Sequence, residues 1–286
     1  MADKSYDLIP VMAPYVDVHM LISLLVHLRD NNLYDEKIIV KEQIKAVSKT
    51  NLIEFLEDLY NMYPDDNELQ QELANNVDEF SARKDYINSL LDNEPDIVQS
   101  VSNFFANTDM INELKTASKF TLSHLTENKI LSIEALESYY KFSKFKYECG
   151  LYDESELMLC NFLSITQQAS AIKLGALWGR LVCRLLTGKK EQALIDFREV
   201  KDAIEVRNIA PMDQLRQRAW LLHWGLFVYI NQPNGIDELV EFFWERPYLQ
   251  VLENLCPWLL RYYTAFVIMS PLKRRNMLRE TLIPGL

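Results

Sequence analysis

Glycine is scarce in this chain. There are 7 glycines and 10 prolines in 286 residues. Few tight turns or left-handed backbone positions are therefore available, which argues against an architecture built of many short strands and hairpins. Cysteine is scarce too. Cys149, Cys160, Cys183 and Cys256 are scattered with no C-x-x-C spacing, which excludes a disulfide framework or a zinc ribbon and reads as buried thiols in a reducing compartment. No apolar run reaches the ~18–20 residues a membrane helix needs. The N-terminus MADKSYDLIP has charges and no apolar stretch before Pro10, so a secretory signal is not expected and the default address is cytoplasmic. Net positive charge is absent: the formal charge is −11. Independent, strong, sequence-blind binding to nucleic acid needs a positive footprint and is not expected.

Hydrophobic residues make up 49% of the chain and charged residues 25%. With abundant Leu, Glu and Lys in long periodic segments, this composition predicts an all-α protein with a large core. Helices are expected over 14–29, 34–48, about 51–63, 67–91, 97–105 and 110–125. Val18, Ile22 and Leu25 form the apolar face of the first, and His19, Ser23 and His27 a polar stripe. No third ligand lies near those histidines, so a metal site is not expected there. Asn51 and Glu54 have capping-box spacing. Leu69, Leu73, Val77, Phe80, Ile87 and Leu91 form one narrow seam, as in a helix packed on a single neighbour. A soft boundary between Thr126 and Ile133 divides an N-terminal helical region, 1–130, from a helical-repeat region, 131–286.

The second region repeats. Helices over 134–149 and 154–165 flank Gly150, and helices over 174–186 and 191–204 flank Gly188. In each pair a small residue, Ser155 or Ala193, follows five positions after the glycine, where it lets two helices close up. This is a helix-hairpin repeat of the tetratricopeptide kind. A third unit pairs 215–230 with 236–244 around Gly235, and a fourth pairs 248–256 with 258–269 around Pro257. Arg216 to Gly235 is the most apolar stretch of the chain: from Ala219 to Ile230 only His223 is polar, and Gly225 offers a flat spot for a neighbouring helix. The reading is a core helix with a buried histidine.

No catalytic constellation is present. Gly188-Lys189-Lys190 fails as a phosphate loop, because Cys183 stands where the first glycine belongs and Lys190 where Ser or Thr belongs. Gly175 and Gly179 read as a close helix contact. His223 has no convergent Ser or Cys to form a nucleophile–base pair. No metal or cofactor is expected. What remains are candidate partner-binding residues. Trp258, Tyr262 and Phe266 make the last apolar helix stickier than a terminal repeat needs, and Lys273, Arg274, Arg275 and Arg279 form the one basic cluster.

The wording of several segments resembles the e subunit of eukaryotic translation initiation factor three. The densest block holds Gln217, Arg218, Trp220, Leu221, His223 and Trp224, then Leu226 to Val228, then Asn231, Pro233 and Gly235. Pro247-Tyr248-Leu249, Cys256, Pro257, Leu260, Arg261 and Tyr262, and Ala265, Val267 and Ile268 continue it. Lys144 to Tyr152, Leu177 to Leu181, Asp17 with His19 and Met20, Tyr34 with Glu36 and Lys37, and Thr50 to Phe55 add further matches, while 67–129 matches weakly. The resemblance implies a right-handed solenoid of helix hairpins, tetratricopeptide- or PCI-like. Family members continue into a winged helix where this chain reaches Leu286, so that module is expected to be absent. It also implies a non-catalytic scaffold that contacts the c, d and l subunits and docks on the small ribosomal subunit. A scaffold of the same architecture from the proteasome lid or the signalosome is the alternative, and the Trp220 block favours the translation factor. A repeat protein reading RNA one base per repeat is opposed by irregular spacing and acidity.

Overall fold

Few residues in this sequence can stop a helix, and the structure follows that scarcity: helix succeeds helix, with no strand among the described residues. The computed structural model describes residues 9–166, 171–205, 210–230 and 232–270. In chain order the helices are α1 (Ile9–Met12), α2 (Val18–Asp30), α3 (Glu36–Val47), α4 (Ile53–Asn61), α5 (Asn67–Asp92), α6 (Asp96–Ala106), α7 (Thr108–Thr116), α8 (Leu122–Glu127), α9 (Ile133–Glu148), α10 (Tyr152–Ile165), α11 (Ala171–Leu186), α12 (Lys190–Glu205), α13 (Pro211–Tyr229), α14 (Gly235–Trp244), α15 (Arg246–Asn254) and α16 (Leu260–Met269). Single 3-10 turns cover Ala13–Tyr15 and Pro257–Leu259. The expected all-α class and the helix-hairpin pairing are both present. Two compact units divide them: of the described residues, 18–183 form the first, and 9–17 with 184–270 the second. The change in sequence character near residue 130 falls within the first unit, and α11 contributes to both.

Caps set the helix starts in the first unit. Asp35 accepts from the backbone N–H of Lys37 at 3.0 Å, and Asp66 from that of Glu68 at 3.2 Å, satisfying donors that have no partner within the helix. Ser132 does the same for Ala135 at the start of α9. Asn51 does not cap α4. Its N–H bonds the Glu148 carbonyl at 3.1 Å and its side-chain oxygen accepts from Arg83 at 3.0 Å. A long-range partner has won over the local one. The helix expected over 110–125 is broken in two at Ser118, which takes the left-handed conformation (φ 57°) and ends α7.

Two cores fill this unit. Ile22, Val40, Ile44, Leu56, Leu59 and Leu69 close α2 to α5. Val101, Leu125, Leu136, Tyr139, Phe162 and Ile165 close α6 to α10. The α9–α10 hairpin turns at Gly150 (φ +84°), a conformation that costs most residues but not glycine. Ser155 is fully buried, and its hydroxyl donates to the Ser143 carbonyl at 2.8 Å. Its small volume is what lets α9 and α10 close. Lys146 sits in the same hairpin between Glu94 at 2.7 Å and Glu154 at 2.8 Å. His19 departs from the polar stripe expected for α2. It is 4% exposed, hydrogen-bonded to the Tyr152 hydroxyl at 2.8 Å and packed on the Tyr147 ring. Ser23 and His27 are exposed, as that stripe requires.

The second unit is ordered around α13. Ala219, Leu221, Leu222, His223, Trp224 and Leu226 are all buried. Gly225 is the flat spot: a methyl group there would sit 3.3 Å from the Phe242 ring, 3.4 Å from Leu239 and 3.5 Å from Phe197. Phe197 of α12 and Phe242 of α14 meet edge to face at 5.4 Å, and Tyr248 of α15 lies 4.5 Å from Phe242. Ala193 is fully buried on α12, and Asp196, equally buried, accepts from Arg184 at 2.7 Å.

Candidate partner-binding surface

A contact surface is what the folded interior leaves open, and in the second unit that interior is fastened by two polar centres. The first is His223, in the middle of α13 with no solvent exposure. Its Nδ1 bonds the Ala219 carbonyl, one turn back, at 2.7 Å, and its Nε2 accepts from the Trp258 indole N–H at 3.1 Å. The Tyr15 ring stacks flat on it at 4.3 Å. A proton on Nδ1 and a lone pair on Nε2 satisfy both partners, which is the neutral imidazole. Burial disfavours the charged ring and lowers its pKa to about 4, against the opposing pull of the Ala219 carbonyl. No Ser or Cys side chain bonds it, so it is a structural histidine.

The second polar centre is Glu205, at the end of α12. Arg218 grips it through two bonds of 2.9 and 2.6 Å, and the Tyr248 hydroxyl donates to it at 2.9 Å. Arg218 first, and then Tyr248, hold the Glu205 carboxyl below its ordinary range. Burial and the Glu205 carboxylate push the Tyr248 hydroxyl upward. The Q-R-x-W-L-x-H-W wording is thus largely a set of interior fastenings: Arg218 to Glu205, His223 to Trp258, and Leu221 and Trp224 in the core. Trp220 alone of its large residues reaches the surface, at 36% exposure.

The expected partner residues are placed as follows. Trp258, in the 3-10 turn before α16, is half-buried, with its indole N–H donated to His223. Tyr262 and Phe266 stack on one another, ring centres 6.5 Å apart. Tyr262 is half-buried and Phe266 is 8% exposed. Leu259, Tyr263 and Val267 are buried against the rest of the unit. The surface that α16 leaves open is the neighbouring stripe Arg261, Ala265, Ile268 and Met269, with Ile268 50% and Met269 58% exposed. That stripe was not singled out in the sequence. Alternation of apolar residues at several helical phases hides which phase faces inward. Lys273, Arg274, Arg275 and Arg279 lie outside the described residues. Among the described residues no group of His, Cys, Asp and Glu is arranged to hold a metal, and no helix is long and apolar enough to cross a membrane. None of the four cysteines is in a disulfide.

Residues 7–146 match the family described as eIF3 subunit 6 N terminal domain. The e subunit of eukaryotic translation initiation factor 3 from Caenorhabditis elegans is 31% identical over 282 residues, covering 97% of this chain and 63% of the relative. The corresponding proteins of Bombyx mori and Arabidopsis thaliana are 30% and 28% identical, covering 98% and 97% of this chain and 63% and 61% of the relatives. The chain spans a little over three-fifths of the length of these relatives.

Proposed function

We propose that the chain belongs to the e-type family of eukaryotic translation initiation factor 3 subunits and acts as a non-catalytic scaffold within the initiation-factor complex. One observation carries this reading: the match to e-type proteins runs along nearly the whole chain in nematode, insect and plant relatives. The finer reading is that it contacts c-, d- and l-type subunits and docks the assembly on the small ribosomal subunit in the cytoplasm. The interior supports a passive role. The buried His223 and Lys146 and the half-buried Glu205 are spent on structural partners. Trp258, Tyr262 and Phe266 shape the edge of the contact surface, the open stripe Arg261–Ala265–Ile268–Met269 meets a partner protein, and the basic cluster Lys273, Arg274, Arg275 and Arg279 contributes charge to that contact.

An affinity-tagged chain expressed in a eukaryotic cell tests the reading. Purification at moderate salt followed by mass spectrometry is expected to recover c-, d- and l-type subunits together with small-subunit ribosomal proteins. Recovery of proteasome-lid or signalosome subunits instead would replace it with the alternative scaffold. Ile268→Asp with Met269→Asp is expected to reduce recovery of these partners without lowering the melting temperature by more than a few degrees.

A further inference from the structure

The charge of this chain is concentrated in one place. Residues 53–96, which hold α4, α5 and the start of α6, contain thirteen acidic and only two basic residues, a net −11 that equals the charge of the whole chain. Both cations are spent on the α4 side of α5, and Lys37, Lys41 and Lys146 from outside the segment pair with Asp66, Glu68 and Glu94. Arg83 donates to the Thr50 carbonyl at 2.7 Å and to Asn51, and Lys84 bonds Glu57 at 3.1 Å. The surface opposite them is uncompensated.

That surface is the outer face of α5. Among the described residues this is the longest helix, 26 residues, and only Leu69 and Ile87 on it are buried. Its inner side lies on α4 and the first core. Its outer side presents Asp78, Asp85 and Asp92, spaced by seven residues, so that they stand two helical turns, about 10 Å, apart on one line. Among the described residues none of the three is in an ion pair. Ser81, Ala82 and Ser89 lie between them and Ala74 just before them, all exposed and all small. Exposed apolar residues flank the line: Val77, 48% exposed, on one side and Tyr86, 62% exposed, on the other. Small residues along the line leave room for a second backbone, and the flanking pair gives it apolar contact.

We infer that the outer face of α5 is a docking surface for a basic amphipathic helix of a protein partner, with Lys or Arg every seventh residue opposite Asp78, Asp85 and Asp92. Charge complementarity selects this occupant. The field of this unpaired acidic line repels RNA phosphates and a second copy of the same face, and attracts a cationic helix. The seven-residue spacing matches the repeat of a paired helix in register over two turns or more. The inference stands on the charge and geometry of α5 and does not depend on the family assignment.

Fluorescence anisotropy on the full chain tests it. The probe is a labelled 21-residue helical peptide with Lys at every seventh position and Leu on the two flanks. The controls are a scrambled peptide of the same composition and a 20-nucleotide RNA. The expected result is saturable binding of the heptad peptide, at least tenfold tighter than either control, and weaker at 300 mM than at 50 mM salt. Asp78→Lys with Asp85→Lys is expected to lower that affinity tenfold or more, and Tyr86→Asp several-fold. All these positions are solvent-exposed, so unchanged circular dichroism melts will show that the variants fold. Equal binding of the scrambled peptide, unchanged binding by the double variant, or preference for RNA would each overturn the proposal.

Discussion

His223 and Trp258 are joined by a single hydrogen bond, 3.1 Å from the indole Nε1 to the imidazole Nε2, that ties the middle of α13 to the turn before α16. Protonation of His223 puts a second N–H on Nε2, so two donors would face each other in a site closed by Tyr15. The folded-state pKa is lowered to about 4 from an ordinary 6.5. The unfolded chain therefore binds the proton first. The stability this histidine contributes is complete above about pH 6.5, declines as the pH falls below that, and is lost through about pH 4, an effect on the order of 3 kcal/mol. Denaturant melts from pH 7 to pH 4 are expected to show this decline, and a His223→Gln variant is expected to lack most of its slope. A wild-type stability flat over that window would show that the ring titrates normally.

Trp224 and Trp220 sit one turn apart and predict opposite outcomes. Trp224 is 2% exposed and Trp220 36%. Trp224→Ala is expected to cost roughly 3–5 kcal/mol as a cavity in the core, and Trp220→Ala about 1 kcal/mol or less. Urea midpoints at constant m-value measure both.

Glu205 holds two donors at once. Glu205→Ala leaves the Arg218 guanidinium and the Tyr248 hydroxyl without their acceptor in a partly buried site, an expected loss of roughly 2–3 kcal/mol. Tyr248→Phe removes one donor and leaves the Arg218 grip, so it is expected to cost about 1 kcal/mol. Because the Glu205 carboxyl is held below its ordinary range, its contribution is present above the unfolded value near 4.5 and is lost as the pH falls beneath it. Thermal melts of wild type and Glu205→Ala should differ most at pH 7 and draw together only as the pH falls from about 4.5 toward the lower folded value.

The two hairpin glycines separate backbone strain from crowding. Gly150 (φ +84°) and Gly188 (φ +74°) share the left-handed conformation, but a methyl group at Gly150 would stand 2.8 Å from Leu52, whereas at Gly188 nothing lies within 4 Å. Gly188→Ala is expected to cost about 1–2 kcal/mol, the backbone term alone. Gly150→Ala is expected to exceed it by about 1 kcal/mol or more, since Leu52 must move. Equal losses at the two sites would show that Leu52 yields freely.

The all-α class was legible in the sequence, because helix is a local decision: 3.6-residue periodicity, scarce glycine and acidic caps speak within a few turns of chain. The core role of Trp224, the close packing at Gly225 and the turns at Gly150 and Gly188 followed from residue types, since a large apolar ring seeks the interior and glycine adds no Cβ where helices crowd or φ turns positive. Tertiary structure decided what local pattern cannot encode. His19 reads as polar surface by its phase on α2 and became interior because Tyr152, 133 residues away, offers it a hydroxyl. Asn51 reads as a cap and became a bridge to Glu148 because that carbonyl lay within reach. On α16, apolar residues at several phases left the inward face ambiguous until α13 and α14 chose it, burying Tyr263, Phe266 and Val267 and leaving Ile268 and Met269 outside. The acid content of residues 53–96 was countable from the start. That Arg83 and Lys84 turn toward α4 and its lead-in, leaving Asp78, Asp85 and Asp92 unopposed, depends on where α4 packs, which only the folded chain determines.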